Sequence, residues 1–185
     1  MAGVDISYSH RISIGATVVL NSASLSPIEC QVSRVKTRFP YIPTLLSFRE
    51  IPPAISAISK LRVQPDIFLV DAHGIMHPYR LGFAAHLGLF LDKPTIGVAK
   101  NPLCGEPQPL KEGRWTTIID KGETIGAKVV TRQGRKPVYV SIGHKVSLET
   151  AIDIVMEYTG AHRIPEPIRR AHLVASEERK KLLTE

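Results

Sequence analysis

A short apolar run that ends in a carboxylate constrains the fold of this chain more than any other feature. The stretch Asp66-Ile-Phe-Leu-Val-Asp71 is typical of a strand that is buried on both faces of a parallel sheet. A helical stretch of small residues follows at Leu81 to Leu91, Pro94 stops it, and Thr95 to Ala99 is a second buried run. This alternation of strands and helices predicts a sheet that carries helices on its faces.

The first 36 residues have instead the pattern of an antiparallel meander. Runs with strand character cover Val4 to Tyr8, Gly15 to Leu20 and Ile28 to Val35, and short turns join them. Together with the buried runs, they predict an α/β fold. Its sheet is mixed, an antiparallel three-stranded meander plus parallel strands, with helices on both faces.

A first helix is expected directly after the meander. Residues Ile51, Ile55, Ile58 and Leu61 recur at steps of four and three, so they share one helix face. Pro52 and Pro53 interrupt this pattern, and an interior proline removes a backbone hydrogen bond. We therefore predict that this helix breaks at the two prolines and restarts.

The last third of the chain predicts a hairpin and two helices. The hairpin pairs Ile125 to Thr131 with Pro137 to Ile142. One helix begins at Ser147 and ends at Thr159-Gly160, and a final helix begins at Pro167 and runs towards Lys181, since proline suits a first helical turn. The chain has no internal repeat, low-complexity tract or long linker, so residues 1–185 are expected to form a single domain.

Composition and charge narrow the class of protein. Hydrophobic residues make up 43% of the chain, and no apolar run approaches the roughly 20 residues needed to cross a bilayer. The N-terminus lacks the pattern of a secretory signal, so we expect a cytoplasmic protein without a membrane partner. We also expect a monomer. The 24 Lys and Arg exceed the 17 Asp and Glu by seven. This excess is compatible with a nucleic-acid partner and equally with no specific partner.

Three acidic residues occupy positions where acids seldom lie. Asp5 interrupts the apolar first strand, Asp71 ends the buried run, and Glu50 lies near the start of the expected first helix. A carboxylate in a buried strand must be paired, protonated or metal-bound, because an isolated buried charge is too costly. A cap or a salt bridge explains any one of these acids taken alone. Three acids on elements that can converge indicate a shared site.

The expected topology would bring two of these acids together. A right-handed crossover from the meander lays the Asp71 strand beside and parallel to the Asp5 strand, so both carboxylates could face one metal. Convergent carboxylates favour hard divalent ions such as Mg²⁺, for which Mn²⁺ can substitute. On a nuclease, such an ion polarises the phosphoryl oxygen, activates water and stabilises the leaving 3′ oxygen. His73 and His77 lie near a glycine-containing turn and do not form a zinc motif.

A stiff loop precedes Glu50. In Phe39-Pro-Tyr-Ile-Pro43 an aromatic residue is bracketed by prolines, and such a loop can wedge a ring between bases. The alternative is a proline-stiffened turn that packs Tyr41 on the core. Near the C-terminus, Arg163, Arg169 and Arg170 are candidates for phosphate contacts, and a solvated helix face explains them equally well.

Several longer segments resemble the signature segments of the endonuclease V family. They are GVDISY near the start, PYIPTLLSFRE at 40–50, FLVDAHGIMHPYRLGFAAHLGLF at 68–90, PTIGVAK at 94–100, SIGHKVSL at 141–148 and RIPEPIRRAH at 163–172. They occur in the family's order and cover essentially the whole chain. The resemblance implies a ribonuclease H-like fold and magnesium-dependent incision at the second phosphodiester bond 3′ to a deaminated base such as hypoxanthine.

The resemblance also implies roles for single residues. The metal-binding catalytic carboxylates would be Asp5, Glu50 and Asp71, with Glu50 either completing the site or orienting the attacking water. Lys100 matches the lysine beside the scissile phosphate, and His172 matches a histidine near the metal. Tyr41 matches a strand-separating wedge. The remaining residues expected to contact substrate are Pro43, in the wedge segment, and Leu46, Ala72, Gly82 and Leu103, in the segments around the base pocket.

The chain departs from the family pattern in three places. Thr44 and Ala72 stand where the family usually has glycine, and both should lie near the base pocket. Members often carry a helical segment before the first strand, which here begins almost at Met1. We expect that difference to leave the metal site intact and to weaken substrate binding or stability.

Other functions for such a chain are an inosine-specific endoribonuclease and a nuclease selective for branched DNA. A catalytically silent nucleic-acid-binding module is a further alternative from a different class. The intact acidic set argues against that last reading, because a module that only binds phosphate has no need for three acids beside it.

Overall fold

The computed structural model describes residues 1–109 and 113–184. Its strands are β1 (Ala2–Ser9), β2 (Ile12–Leu20), β3 (Pro27–Lys36), β4 (Phe68–Val70), β5 (Thr95–Ala99), β6 (Glu106–Pro107), β7 (Trp115–Asp120), β8 (Glu123–Val129) and β9 (Val138–His144). Its helices are α1 (Leu46–Ile58), α2 (Phe83–Leu91), α3 (Leu148–Glu157) and α4 (Glu166–Thr184). No helix in the described ranges is both long and apolar enough to span a membrane.

The strands form one mixed sheet in the order β3-β2-β1-β4-β5-β9-β8-β7-β6. The three strands of the predicted meander pair antiparallel, with Asp5 opposite Ala16 and Val18 opposite Cys30. At the centre, β1, β4 and β5 run parallel, and Val4 is the register partner of Val70. The predicted mixed sheet, its meander and its parallel centre are therefore confirmed.

Helices cover both faces of the sheet because the central strands are apolar on both sides. Leu69 of β4 packs in one core with Ile152 of α3 and Ile168 of α4. Its neighbours Phe68 and Val70 point to the opposite face and pack with α1 and α2. The near-continuous apolar pattern of β4 thus reflects burial on two faces, as its sequence predicted.

The predicted break in the first helix is wrong. α1 is continuous from Leu46 to Ile58 and contains both Pro52 and Pro53. Each proline removes one helical hydrogen bond, but Ile51 and Ala54 are buried against the sheet and hold the helix in place. The Ser33 hydroxyl also donates to the Pro53 carbonyl at 2.6 Å. Tertiary contacts therefore offset a local preference for breaking.

The C-terminal elements agree with the sequence except for two additional strands. The β8–β9 hairpin and both C-terminal helices are present, and the Ser147 hydroxyl accepts a hydrogen bond from the Thr150 amide at the start of α3. The strands β6 and β7 were not predicted. The run Trp115-Thr-Thr-Ile-Ile within β7 is rich in β-branched residues and was the signal that could have identified it.

Candidate active site

The parallel centre of the sheet places two carboxylates side by side. Asp5 lies within β1, and Asp71 follows directly on β4, where its amide donates to the Val4 carbonyl at 3.1 Å. Asp5 is only 8% exposed. Burial, followed by the negative charge of Asp71, raises the pKa of Asp5. The two acids thus converge as the sequence predicted, at an electrostatic cost that a bound cation would relieve.

The helix α4 adds a third group to this pair. His172 Nδ1 lies 2.8 Å from Asp5 Oδ2. One ligand atom each from Asp5, Asp71 and His172 can be chosen so that all three lie within 4.8 Å of one another. Two carboxylates and one imidazole suit magnesium or manganese, since oxygen donors dominate the set. The donor set therefore fits the divalent ion expected from the sequence.

Glu50 is near this group but is not part of it. It is buried on α1, and the Tyr8 hydroxyl donates to its Oε1 at 3.3 Å. Burial, then the charge of Asp5, raises the pKa of Glu50 to about 8. Glu50 thus lies within electrostatic range of both aspartates, while the compact group of possible ligands consists of Asp5, Asp71 and His172. The role of Glu50 as a metal ligand stays a prediction.

Lys100 approaches the acids from the neighbouring strand. It follows β5, and its Nζ lies 3.3 Å from Asp71 Oδ2. The side chain is half exposed, so the ammonium group remains accessible from solvent. Arg163 donates to the Lys100 carbonyl at 2.8 Å and to the Pro137 carbonyl at 2.5 Å. Arg163 was predicted from the sequence as a candidate phosphate contact. In the structure it fixes the backbone that carries Lys100.

A pocket of about 300 Å³, hereafter the Tyr41 pocket, opens beside the acids. Its volume lies at the lower end of the range for small-molecule sites. Of the residues predicted to contact substrate, the structure places Tyr41, Leu46, Ala72, Gly82 and Leu103 in its lining. Pro43 lies in the adjacent loop and is not part of that lining. Glu50, Asp71 and Lys100 also border it, so the pocket and the acids share walls.

The backbone around the pocket is tightly constrained. Thr44 lines it and has φ +69°, a left-handed conformation that is rare for a β-branched residue. This conformation explains why glycine suits the position. A Cβ at Gly82 would lie 2.4 Å from the His73 carbonyl oxygen. A larger residue at Gly82 would therefore displace the pocket wall.

Two histidines in the pocket wall were not assigned a substrate role from the sequence. His73 Nε2 lies 2.9 Å from the Asn101 carbonyl, and buried His77 accepts a hydrogen bond from the Tyr79 amide through Nδ1 at 3.2 Å. Burial lowers the pKa of both imidazoles. They provide polar atoms inside a largely apolar cavity, and their position in the fold could not be read from their spacing.

On its other side, the acidic group borders a second cavity, hereafter the His172 cleft, of about 390 Å³. Asp5, Asp71, Lys100 and His172 line it together with Ser176 and Arg179 of α4. His172, Ser176 and Arg179 lie on one face of that helix, at steps of four and three residues. Ser176 and Arg179 were not predicted from the sequence, although their helical spacing from His172 is visible there.

The two other candidate phosphate-binding arginines have an acidic partner. Arg169 donates to both Glu166 oxygens at 2.6 and 2.7 Å, and Arg170 donates to Glu166 at 2.8 Å. All three residues lie in the first turns of α4. Their role in phosphate binding stays a prediction.

Comparisons with known proteins agree with this architecture. The family model described as Endonuclease V matches residues 1–173. Endonuclease V of Rippkaea orientalis is 48% identical over 180 residues, which cover 95% of this chain and 79% of that protein. The solved endonuclease V from Streptomyces avermitilis has a TM-score of 0.93 and 35% identity, and the match covers 98% of this chain and 82% of that one.

A third relative was solved with nucleic acid. Ciona intestinalis endonuclease V, in complex with a 24mer DNA containing an inosine followed by a ribo-adenosine, has a TM-score of 0.88 and 34% identity. That match covers 98% of this chain and 86% of the other. These likenesses confirm the expected ribonuclease H-like fold. The chain belongs to the endonuclease V family and is an endodeoxyribonuclease.

Proposed function

We propose that this endonuclease nicks DNA beside a deaminated base such as hypoxanthine, as a repair enzyme. The cut falls at the second phosphodiester bond 3′ to the base and leaves 3′-hydroxyl and 5′-phosphate ends. One observation carries the proposal: Asp71 and Lys100 line both the Tyr41 pocket and the His172 cleft. A base held in the pocket would therefore have its own strand running directly past the acids.

The acidic group is suited to hold a divalent cation, with Mg²⁺ as the expected ion and Mn²⁺ as a substitute. Asp5, Asp71 and His172 would be its ligands, because their donor atoms converge. Such an ion supplies polarisation of the phosphoryl oxygen and a more acidic water. Glu50 stands beside these ligands and is held by the Tyr8 hydroxyl, a position suited to orienting the attacking water.

The Tyr41 pocket is suited to a base that has left the helix. Enzymes that act at a single base commonly extrude it into a fitted pocket, and unstacking costs a few kcal/mol. Tyr41 is 68% exposed at the pocket rim, in a loop stiffened by prolines. It can therefore take the place of the extruded base in the stack. The inosine in the DNA bound by the Ciona relative supports hypoxanthine as the base.

Cations around the His172 cleft are suited to the phosphate backbone. Lys100 lies at the border between pocket and cleft, where it can steady the phosphate that reacts. Arg179 lies further along α4 and lines the cleft only, so its charge is placed for a neighbouring phosphate. Lys100 would act on the chemical step, and Arg179 would act on binding.

A second candidate function is incision of inosine-containing RNA. The DNA in the Ciona complex carries a ribo-adenosine after its inosine, which favours tolerance of a ribonucleotide beside the base. Strands of identical sequence, one DNA and one RNA, would separate the two functions by their single-turnover rates. We expect the DNA strand to be cut at least as fast, and a DNA strand left intact while RNA is cut would reassign the substrate.

The direct test of the proposed function is nicking of a duplex with one inosine. The control duplex carries adenine at that position and is otherwise identical. We expect cleavage of the inosine strand in Mg²⁺, none in EDTA, and none of the adenine control. Equal cleavage of both duplexes would contradict recognition of a deaminated base, and undiminished cleavage in EDTA would contradict the metal site.

A further inference from the structure

A third cavity adjoins the same loop from which Tyr41 projects. This Arg38 groove has a volume of about 480 Å³ and lies between the end of β3 and α1; its lining residues include Lys36, Arg38, Phe39, Phe48 and Arg49. Phe39 lines the groove, whereas Tyr41, two residues later, lines the Tyr41 pocket. The loop thus forms part of the wall of both cavities.

The helix α1 is the other shared wall. Its residues Leu46 and Glu50 line the Tyr41 pocket, while Phe48 and Arg49 line the Arg38 groove. Successive side chains on a helix point in different directions, so one turn of α1 serves both cavities. The two cavities are therefore neighbours that share this loop and α1 as walls.

The Arg38 groove has the charge of a polyanion site. Lys36, Arg38 and Arg49 line it, and within the described chain none of its lining residues is acidic. Lys36 and Arg38 are exposed at the end of β3, the strand at the edge of the sheet. The Arg49 guanidinium carbon lies 4.3 Å from the Tyr8 ring centroid, a cation–π contact that holds this cation in the wall of the groove.

The groove also presents aromatic rings. Phe39 and Phe48 are stacked, with centroids 5.5 Å apart and planes at 30°. Phe48 is 48% exposed although it is a large apolar residue. Beyond it, the rings of His86 and Phe90 continue the row at centroid spacings of 5.3 Å. Positive charge together with exposed rings is the combination that binds unpaired nucleic-acid strands, through phosphates and stacked bases.

We propose that the Arg38 groove binds the strand opposite the damaged base. The inference rests on the proposed function, in which Tyr41 enters the duplex and the damaged base occupies the Tyr41 pocket. When one loop separates two strands, each strand passes on a different side of that loop. The Tyr41 pocket lies on one side, and the Arg38 groove lies on the other. Lys36 and Arg38 contact phosphates there, and Phe48 stacks on a base that has lost its partner.

A comparison of duplex and single-stranded substrates tests this assignment. Both carry the same inosine strand, and single-turnover rates are measured against enzyme concentration. For Lys36→Ala/Arg38→Ala, we expect the concentration at half-maximal rate to rise about tenfold or more on the duplex and less than about twofold on the single strand. Loss of two phosphate contacts should also reduce, by about 2, the slope of the logarithm of the duplex binding constant against the logarithm of the salt concentration.

The matched control removes two charges at the other end of the sheet. Lys121 and Arg132 lie exposed in the turns that follow β7 and β8, and Lys121→Ala/Arg132→Ala should bind both substrates like the parent. An equal loss on both substrates for the groove variant would assign the groove to the damaged strand. An unchanged duplex affinity would show that the groove does not bind nucleic acid. Either result overturns the proposal.

Crosslinking identifies the bound strand directly. Phe48→p-benzoylphenylalanine places a photoreactive group in the groove, and each strand of the inosine duplex is labelled in turn. We expect crosslinks to the opposite strand, whereas crosslinks to the inosine strand, or none to either, would contradict the assignment. The parent enzyme is assayed in parallel, because a parent that fails to nick inosine disproves the proposed function and not merely the role of this groove.

Discussion

His172 Nδ1 lies 2.8 Å from Asp5 Oδ2, so the last helix of the chain completes a site that the first strand begins. These residues are 167 positions apart. The contact is possible because α4 packs directly on β1, where a Cβ at Gly3 would lie 2.0 Å from the Pro167 carbonyl oxygen. The absence of a side chain at Gly3 therefore sets how closely His172 approaches the acids.

Asp71→Asn should abolish nicking while nucleic-acid binding largely survives. Asparagine keeps the shape of aspartate and removes the charge that holds the cation, on which most of the rate depends. Asp5→Asn should behave in the same way. Gel-shift affinity and single-turnover cleavage are measured on one inosine duplex, and cleavage by Asp71→Asn at near the parent rate in Mg²⁺ would show that the metal site is misassigned.

Lys100→Ala should slow the chemical step by roughly 10²-fold or more at saturating enzyme, as for other groups that stabilise transition-state charge. The lysine lies 3.3 Å from Asp71, next to the position expected for the reacting phosphate. An unchanged single-turnover rate would show that Lys100 does not contribute to the chemical step.

Arg179→Ala should have the opposite signature, weaker binding with an unchanged maximal rate. The Arg179 side chain lines the His172 cleft. Its loss should therefore reduce, by about 1, the slope of the logarithm of the binding constant against the logarithm of the salt concentration. Lys180→Ala removes the same charge one position along α4, outside the cleft lining, and should leave binding nearly unaltered. Identical losses in Arg179→Ala and Lys180→Ala would mean that only net charge matters.

Tyr41→Ala should impair cleavage of an inosine duplex more than cleavage of the same strand alone. A wedge offsets the cost of unstacking, a cost that is largest in a duplex. Tyr41→Phe retains the ring and should retain most of the duplex activity. Equal losses on both substrates for Tyr41→Ala would indicate that the tyrosine only supports the loop.

The sequence located the acids because burial makes an acid conspicuous. Asp5 and Asp71 stand out against apolar strands, and the parallel pairing of those strands follows from chain connectivity. The continuous α1 was not predictable in the same way. Proline disfavours a helix locally, and only the packing of Ile51 and the hydrogen bond from Ser33 show that the cost is offset.

Contacts between residues that lie far apart along the chain could also not be predicted from the sequence. Arg163 binds the Lys100 carbonyl across 63 positions, and Tyr8 binds Glu50 across 42. Nothing in the local pattern of either residue indicates its partner. The Arg38 groove could not be predicted either, because its walls come from two separate elements, the end of β3 and α1.

Glu166→Gln should lower stability at neutral pH and not in acid. The hydrogen bond from Arg169 is the main cause that holds the pKa of Glu166 below its ordinary value. Because the pKa is lower in the folded state, the stabilisation is present above the ordinary value of 4.5 and is lost as the pH falls through the folded pKa. We expect a loss of about 1 kcal/mol at pH 7.

Chemical denaturation of Glu166→Gln, the parent and Glu177→Gln from pH 7 to pH 3 measures this difference. Glu177 lies exposed on the same helix, so its variant should follow the parent at each pH. A deficit of Glu166→Gln that stays constant down to pH 3 would assign it to packing and not to charge.

The proposed incision beside a deaminated base is tested most directly by mapping the cut on an inosine-containing DNA duplex to the nucleotide and determining the chemistry of both ends. We predict a single Mg²⁺-dependent nick in the inosine strand at the second phosphodiester bond 3′ to inosine, with a 3′-hydroxyl on one fragment and a 5′-phosphate on the other. Cuts scattered along the strand, a nick unrelated to the inosine, or a 3′-phosphate end would contradict the proposed function.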